Sequence, residues 1–372
     1  MAGTGLTLQA WARQLVRVAP VPAPWPRMVL AALAVGVPLS VGMAVGHPVQ
    51  AMLTSMGGVV ATLVDRPAPN LLRMRGIATA ACFGSVPGLL IGTAVHGRGW
   101  VAVVAMVAVA GVSAVVSSIS PTGSATGLQL LVFASLGLGP LGALRPWWAT
   151  PLWLLVGVWW TLLLLAADWL HRPVAPAPGG DGAAQPRRVL ASLRTARTAS
   201  FAIRLMLCIG LATVFSEVLP LNRSYWVPLA VAVVMKPDFG SISVRAAQYG
   251  AGTVVGAGFA MLILLAAPSS SVLVATIVLL AALIPYGLTR NYALFGAVFT
   301  LLIVLILDVV SRSGWRIGED RLVDILVGCG IVLVLGSVPY PTTLAMSAHT
   351  DRGDPRDVTG RSHPNQRTLA RR

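Results

Sequence analysis

Apolar residues do not alternate with polar ones along this chain; they run together in blocks long enough to cross a bilayer. Uncharged stretches fall near 28–46, 49–64, 76–96, 99–117, 123–144 and 148–170, then 200–219, 224–236, 246–267, 271–289, 291–310 and 321–340. A spanning helix needs roughly 20 apolar residues, so the pattern predicts an all-α integral membrane protein of about twelve transmembrane helices. They fall six and six around residues 171–199, where His171-Arg172-Pro173 opens a stretch of Pro, Gly and Arg that cannot build a core. Each half holds an even number of spans, so both halves enter the membrane from one side. Any repeat must then be parallel, related by an axis along the membrane normal. A shift of 172 residues superposes Arg73 on Arg245 and Gly84 on Gly256.

The expected layout is a cytoplasmic or interfacial segment over 1–27, a first six-helix repeat over 28–170, and a cytoplasmic linker over 171–199. A second repeat over 200–341 and a disordered cytoplasmic tail over 342–372 follow. Leu8, Trp11, Leu15 and Val18 recur at helical spacing opposite Arg13 and Arg17, which predicts a short helix lying in the inner interface. The first span is too long, and leads too directly into others, for a cleaved signal peptide.

Composition strengthens this picture. Only 10% of the 372 residues are charged against 56% hydrophobic, and mean hydropathy is +0.80. A soluble domain carries about 25% charged residues. The charge is lopsided, 27 Lys+Arg against 12 Asp+Glu. With a cytoplasmic N-terminus, twenty of the cations fall in inner segments and six in outer loops, Arg321 being counted among the outer six. That is the positive-inside pattern, so a plasma-membrane protein with both termini cytoplasmic is expected, and no nucleic-acid partner is needed to explain the net +15. Cys82, Cys208 and Cys329 all lie in apolar runs and suggest neither a disulfide nor a metal framework.

Chemistry is then sought among embedded polar groups, since a central charge costs about 2.5–3.5 kcal/mol even on the mildest scale. In the first half only Asp168 is expected to be embedded; in the second, Arg204, Glu217, Lys236, Asp308 and Asp324 lie in spans or at their edges. Asp308 reads either as an interfacial carboxylate or as a group that takes up and releases a proton; Glu217 is the next candidate for that coupling. Arg194, Arg197 and Arg204 share one helix face, a solvated basic stripe or an anion-gathering one. Lys236, the sole lysine, stands in Lys236-Pro237-Asp238, which reads equally as a helix stop and as a broken segment exposing backbone to ions. Tyr225 and Trp226 suit an interfacial belt or a stacking surface. Gly84, Gly88 and Gly92, and again Gly252 and Gly256, are spaced for close helix packing.

Several function classes are disfavoured. There is no GxxxxGK[ST] and the only lysine precedes proline, so the chain is no ATPase by itself. HExxH is absent and the five histidines are scattered, so neither an enzyme, a metal nor a cofactor is expected.

Asn222-Arg223-Ser224-Tyr225-Trp226-Val227-Pro228-Leu229, the following Lys236-Pro237-Asp238-Phe239-Gly240, Arg245 with the glycine run from Gly250 to Gly256, and Arg290-Asn291-Tyr292-Ala293-Leu294-Phe295 closing on Asp308 resemble the fusaric acid resistance (FUSC) family. That family overlaps the aromatic acid exporters and is related to plant aluminium-activated malate channels. The resemblance covers residues 200–340. The first half resembles a degenerate partner repeat, with Phe133 standing where Phe299 stands in the second. Many members carry a large cytoplasmic domain, whereas only the 171–199 linker stands between the halves here. The resemblance implies a secondary transporter exporting aromatic or other small organic acids, coupled to protons. Arg204, Lys236 and Arg245 would then attract carboxylate, Tyr225, Trp226 and Tyr292 would contact an aromatic body, and Asp308 would carry the proton. A passive organic-anion channel and a non-transporting membrane scaffold are the alternatives. The implied partners are the lipid bilayer, a small organic anion and protons, and a homo-oligomer is compatible with the sequence. Cysteines placed near residues 180 and 360 should be labelled from the cytoplasm alone, and ones near 98 and 314 from outside alone; labelling of 180 and 360 from opposite faces would break the parity on which the parallel repeat rests.

Overall fold

A computed structural model describes residues 20–139, 141, 144, 146–171, 196–218, 225–235, 242–266, 269–311 and 316–336. The expected interfacial helix at 8–18, the linker and the tail lie outside the described residues. Within them the chain forms twelve helices: α1 (Trp25–Ala44), α2 (Pro48–Val64), α3 (Asn70–Val95), α4 (Trp100–Ile119), α5 (Pro121–Gly137), α6 (Ala149–His171), α7 (Ala196–Val218), α8 (Trp226–Val234), α9 (Ile242–Leu265), α10 (Ser270–Arg290), α11 (Tyr292–Ser311) and α12 (Arg316–Ile331). Eight of these are long and apolar enough to cross a membrane, and no strand occurs among the described residues. The protein is an all-helical, multi-pass membrane protein.

Local chemistry sets the helix ends. Pro48 and Pro121 occupy first turns, where a missing N–H costs nothing. The Ser120 hydroxyl accepts from the Gly123 N–H at 2.9 Å, and Asn291 Oδ1 accepts from Ala293 N–H at 2.7 Å, starting α5 and α11. Gly46, at φ +81°, reverses the chain between α1 and α2, where the His47 N–H reaches the Gly42 carbonyl at 2.8 Å. In α3 the turn before Pro87 widens into a π-helical stretch, Ala81–Ser85, which carries the helix past a residue that lacks an N–H.

Two shells result. In α2, α5, α8 and α11 most residues are buried, 13 of 17, 11 of 17, 9 of 9 and 12 of 20 respectively. Around them stand the others, presenting Val29, Phe83, Val104, Leu262, Leu279 and Val334 outward. An outer face of exposed large apolar groups is what lipid contact requires. Trp25 and Trp169 are exposed at one end of the bundle, and Trp100, Trp147 and Trp148 at the other. Trp148, just before α6, and Trp169 near its end stand about 31 Å apart at 1.5 Å per residue, close to the roughly 30 Å hydrocarbon thickness, with Trp159 exposed between them.

Each inner helix is drawn against an outer one by glycine. A Cβ on Gly157 of α6 would overlap the Thr54 carbonyl of α2, and one on Gly88 of α3 the Leu130 carbonyl of α5. Gly252 and Gly256 of α9 are blocked in the same way by the Ala293 and Ala297 carbonyls of α11, and Gly328 of α12 by Val227 and Ala230 of α8. Gly84 faces the Thr126 carbonyl. These crossings are backbone against backbone. Four expectations are corrected. The stretch 224–236 supplies no full-length span among the described residues: α8 holds nine residues, about 14 Å, against the roughly 30 Å of a bilayer core. The last helix starts at Arg316 and not at 321, so Arg321 is no outer-loop charge but is buried inside α12 at 1% exposure. Asp168 is not the sole embedded acid of the first half, since Asp65 is buried at the end of α2. Tyr225 and Trp226 are buried and form no interfacial belt.

Gly252→Ala should lower the melting temperature of the purified protein in detergent, because the obstructing atom is a carbonyl that cannot rotate away; overpacking of this kind costs about 1–3 kcal/mol. Gly258→Ala, at an exposed helical site with open space around it, should leave it unchanged or raise it. Equal effects from the two would remove the close-approach explanation.

Candidate functional site

The inner helices enclose a cavity of about 280 Å³. Both halves contribute to its wall: Met52, Met56 and Val60 from α2, Ser124, Gln129 and Phe133 from α5, Tyr225, Trp226 and Leu229 from α8, and Phe295, Phe299 and Ile303 from α11. Its wall extends from Arg66, beyond the end of α2, to Val310 and Ser311 at the end of α11, and includes Arg321 of α12. Those two arginines are the charged groups in the described wall.

The Arg66 end is organised by an ion cluster. Asp65, buried at the close of α2, accepts from Arg73 Nε at 2.7 Å and Nη2 at 2.8 Å, and from Arg27 Nε at 3.2 Å; Arg27 Nη2 also reaches the Asp65 carbonyl. The starts of α1 and α3 are thus tied to the end of α2. Arg290 donates to the Val21 carbonyl at 2.7 Å at this same end, where Tyr292 Oη donates to the Val233 carbonyl of α8 at 2.8 Å. Here α8 stops short, and its last carbonyls find a phenol from α11 in place of a further turn.

Farther along the wall Arg321 lies over the Trp226 ring, 4.9 Å from its centroid, with Tyr249, Tyr225 and Asp324 as near polar neighbours. From Tyr249 an aromatic series continues through Tyr292 at 5.9 Å, Phe295 at 5.4 Å and Phe299 at 5.3 Å between successive ring centroids. The cavity therefore pairs a buried cation with flat apolar surface.

The structure brings Tyr225, Trp226 and Tyr292 together in this wall. Arg204 on α7 and Arg245 on α9 are half-buried and are not among its described residues. Asp308 is buried at 7% exposure, next to Leu307 of the wall, and Glu217 is exposed in the last turn of α7. Lys236, with Pro237 and Asp238, lies outside the described residues. Reasoning from the sequence missed Arg321, although a signal existed: Ile317, Arg321, Asp324, Ile325, Gly328 and Val332 recur at helical spacing and are all buried.

Residues 211–335 match the family model described as fusaric acid resistance protein-like. This segment, about a third of the chain, is similar to that family. It begins within α7, ends in the π-helical stretch after α12, and holds α8, α11 and Arg321, half of the cavity's frame. An uncharacterized protein of Haemophilus influenzae is 27% identical over 140 residues, 38% of this chain and 20% of that protein. The uncharacterized protein YhfK of Escherichia coli is 30% identical over 130 residues, 34% of this chain and 18% of that protein. The chain thus spans about a fifth of the length of these relatives. No solved structure matches it.

Proposed function

We propose that this chain is a secondary transporter that exports aromatic or other small organic acids from the cell, driven by the proton gradient. The observation that carries the reading is the central cavity itself: it is framed by inner helices from both halves and has two arginines, Arg66 and Arg321, in a largely apolar, aromatic wall. A path for organic acids needs these two properties together, apolar surface for the carbon skeleton and cations for the carboxylate. The match of residues 211–335 to the fusaric acid resistance protein-like family supports transport over catalysis.

The reading includes two parallel six-helix repeats meeting at the cavity. Packing supports it, since helices related by six positions keep the same partners: α1 on α2 and α7 on α8, α2 on α6 and α8 on α12, α3 on α5 and α9 on α11. Contacts between halves obey the same rule, α4 on α7 and α10 on α1. Parallel rather than inverted order is favoured because α2 and α8 both end on the side where α11 starts, as the Tyr292 and Asp65 bonds require. The arginine-rich ends face the cytoplasm in this reading, with both termini there and the protein in the plasma membrane.

Asp308 is assigned the proton. It is buried beside the wall on the helix that supplies Phe295 and Phe299, where a carboxyl can bind and release a proton as α11 moves. Asp308→Asn keeps shape and most hydrogen bonding but cannot titrate. In proteoliposomes this variant should lose efflux driven by an imposed pH gradient, while protein level and substrate binding stay near wild type. Efflux retaining full pH dependence would route the proton elsewhere, with Glu217 next in line; flux that ignores the gradient and follows voltage would favour a channel.

A further inference from the structure

Gln129, in the third turn of α5, is 3% exposed and lines the cavity. Its amide has no hydrogen bond to any described residue, and neither the carbonyl nor the NH2 is fully enclosed by protein, so the surface it keeps presents an acceptor and a donor side by side. Its base is held where α3 crosses α5: a Cβ on Gly84 would come 3.0 Å from the Gln129 Cβ. Phe133, one turn on, is 2% exposed in the same wall. An amide left unmatched inside the bundle carries a desolvation cost, which a ligand with the complementary pair removes. The wall's cations are engaged elsewhere, Arg66 being exposed beyond the end of α2 and Arg321 packed against the Trp226 ring, Tyr249 and Asp324. A carboxylate can only accept; it would take the NH2 of Gln129 and set its charge against Oε1. A neutral primary amide fits both sides, with its N–H donating to Oε1 and its carbonyl accepting from Nε2–H in one plane.

We propose that Gln129 is a hydrogen-bonding site for uncharged ligands, aromatic primary amides, whose ring lies on the apolar wall at Phe133 while their amide pairs with its own. This goes beyond the acid-exporter reading: it gives the cavity a second, uncharged ligand class and puts the polar contact on α5, in the first half and outside the 211–335 match. Ring burial supplies affinity without direction, and the paired amides supply orientation. A ligand that keeps the carbonyl but has lost its N–H donors leaves Oε1 unmatched, and one that is wholly apolar leaves both sides so.

The test is equilibrium binding of radiolabelled benzamide to the full chain in lipid nanodiscs, with uptake by empty nanodiscs subtracted. Wild type should bind benzamide, and N,N-dimethylbenzamide, which has no N–H, should compete at least about 5-fold more weakly. Gln129→Leu, close in volume but without polar atoms, should weaken benzamide by about 5–30-fold, the loss expected for two hydrogen bonds, and should abolish the preference over the dimethyl compound. A change that merely loosened the cavity would weaken both ligands alike. Gln129→Asn, which draws the amide back by one methylene, should keep part of the preference. If Gln129→Leu does not fold, the two ligands on wild type and Gln129→Asn still decide. Absent benzamide binding to wild type, equal affinity for the two amides, or a preference that survives in Gln129→Leu would each overturn the proposal. Benzoate efflux from proteoliposomes separates the two readings: efflux without benzamide binding sinks this inference and leaves transport of acids, and benzamide binding at Gln129 without benzoate efflux does the reverse.

Discussion

Four helix crossings in which one backbone lies directly on another hold this bundle together. Gly157, Gly88, Gly252 and Gly328 each remove the side chain that would otherwise keep α2, α5, α11 and α8 at ordinary distance from an outer helix. In a bilayer there is little hydrophobic gain in bringing apolar helices together, so close van der Waals approach has to supply the association. Pulled outward against their partners, the four inner helices leave space between them. The cavity is a consequence of where the glycines stand.

That division into shells decides where polarity can go. Outer helices meet lipid with Phe83, Leu262 and Val334. Inner helices meet only protein or cavity, so Gln129, Ser124 and the end of a nine-residue helix are tolerable there. Charges obey the same logic. Asp65 is enclosed by Arg27 and Arg73, while Arg321 has the Trp226 ring 4.9 Å away and Tyr249 and Asp324 beside it.

Much of this was legible from the residues, because bilayer thickness writes itself into the length of apolar runs. Twelve helices lie where twelve runs lie, and the glycine spacings mark crossings that the structure contains. The short α8 was legible in part: the apolar run 224–236 is itself short and Lys236-Pro237 reads as a helix stop, but hydropathy did not separate its nine helical residues from a span. Tyr225 and Trp226 have the composition of an interfacial belt, and only the depth of α8 in the bundle reveals them as cavity wall. Arg321 was misread because a charged run, Arg316 to Arg321, hides the helix start; the periodicity of its buried face was the better guide.

The central claim is that organic acids occupy the space between α2, α5, α8 and α11. It is tested most directly by placing a single cysteine at Ile303, in a protein whose Cys82, Cys208 and Cys329 are replaced by alanine, and following its reaction with a small charged thiol reagent. Reaction from the aqueous phase that benzoate slows in a concentration-dependent way is the expected result. A cysteine at 303 that never reacts, or that reacts at a rate benzoate does not change, would contradict the claim.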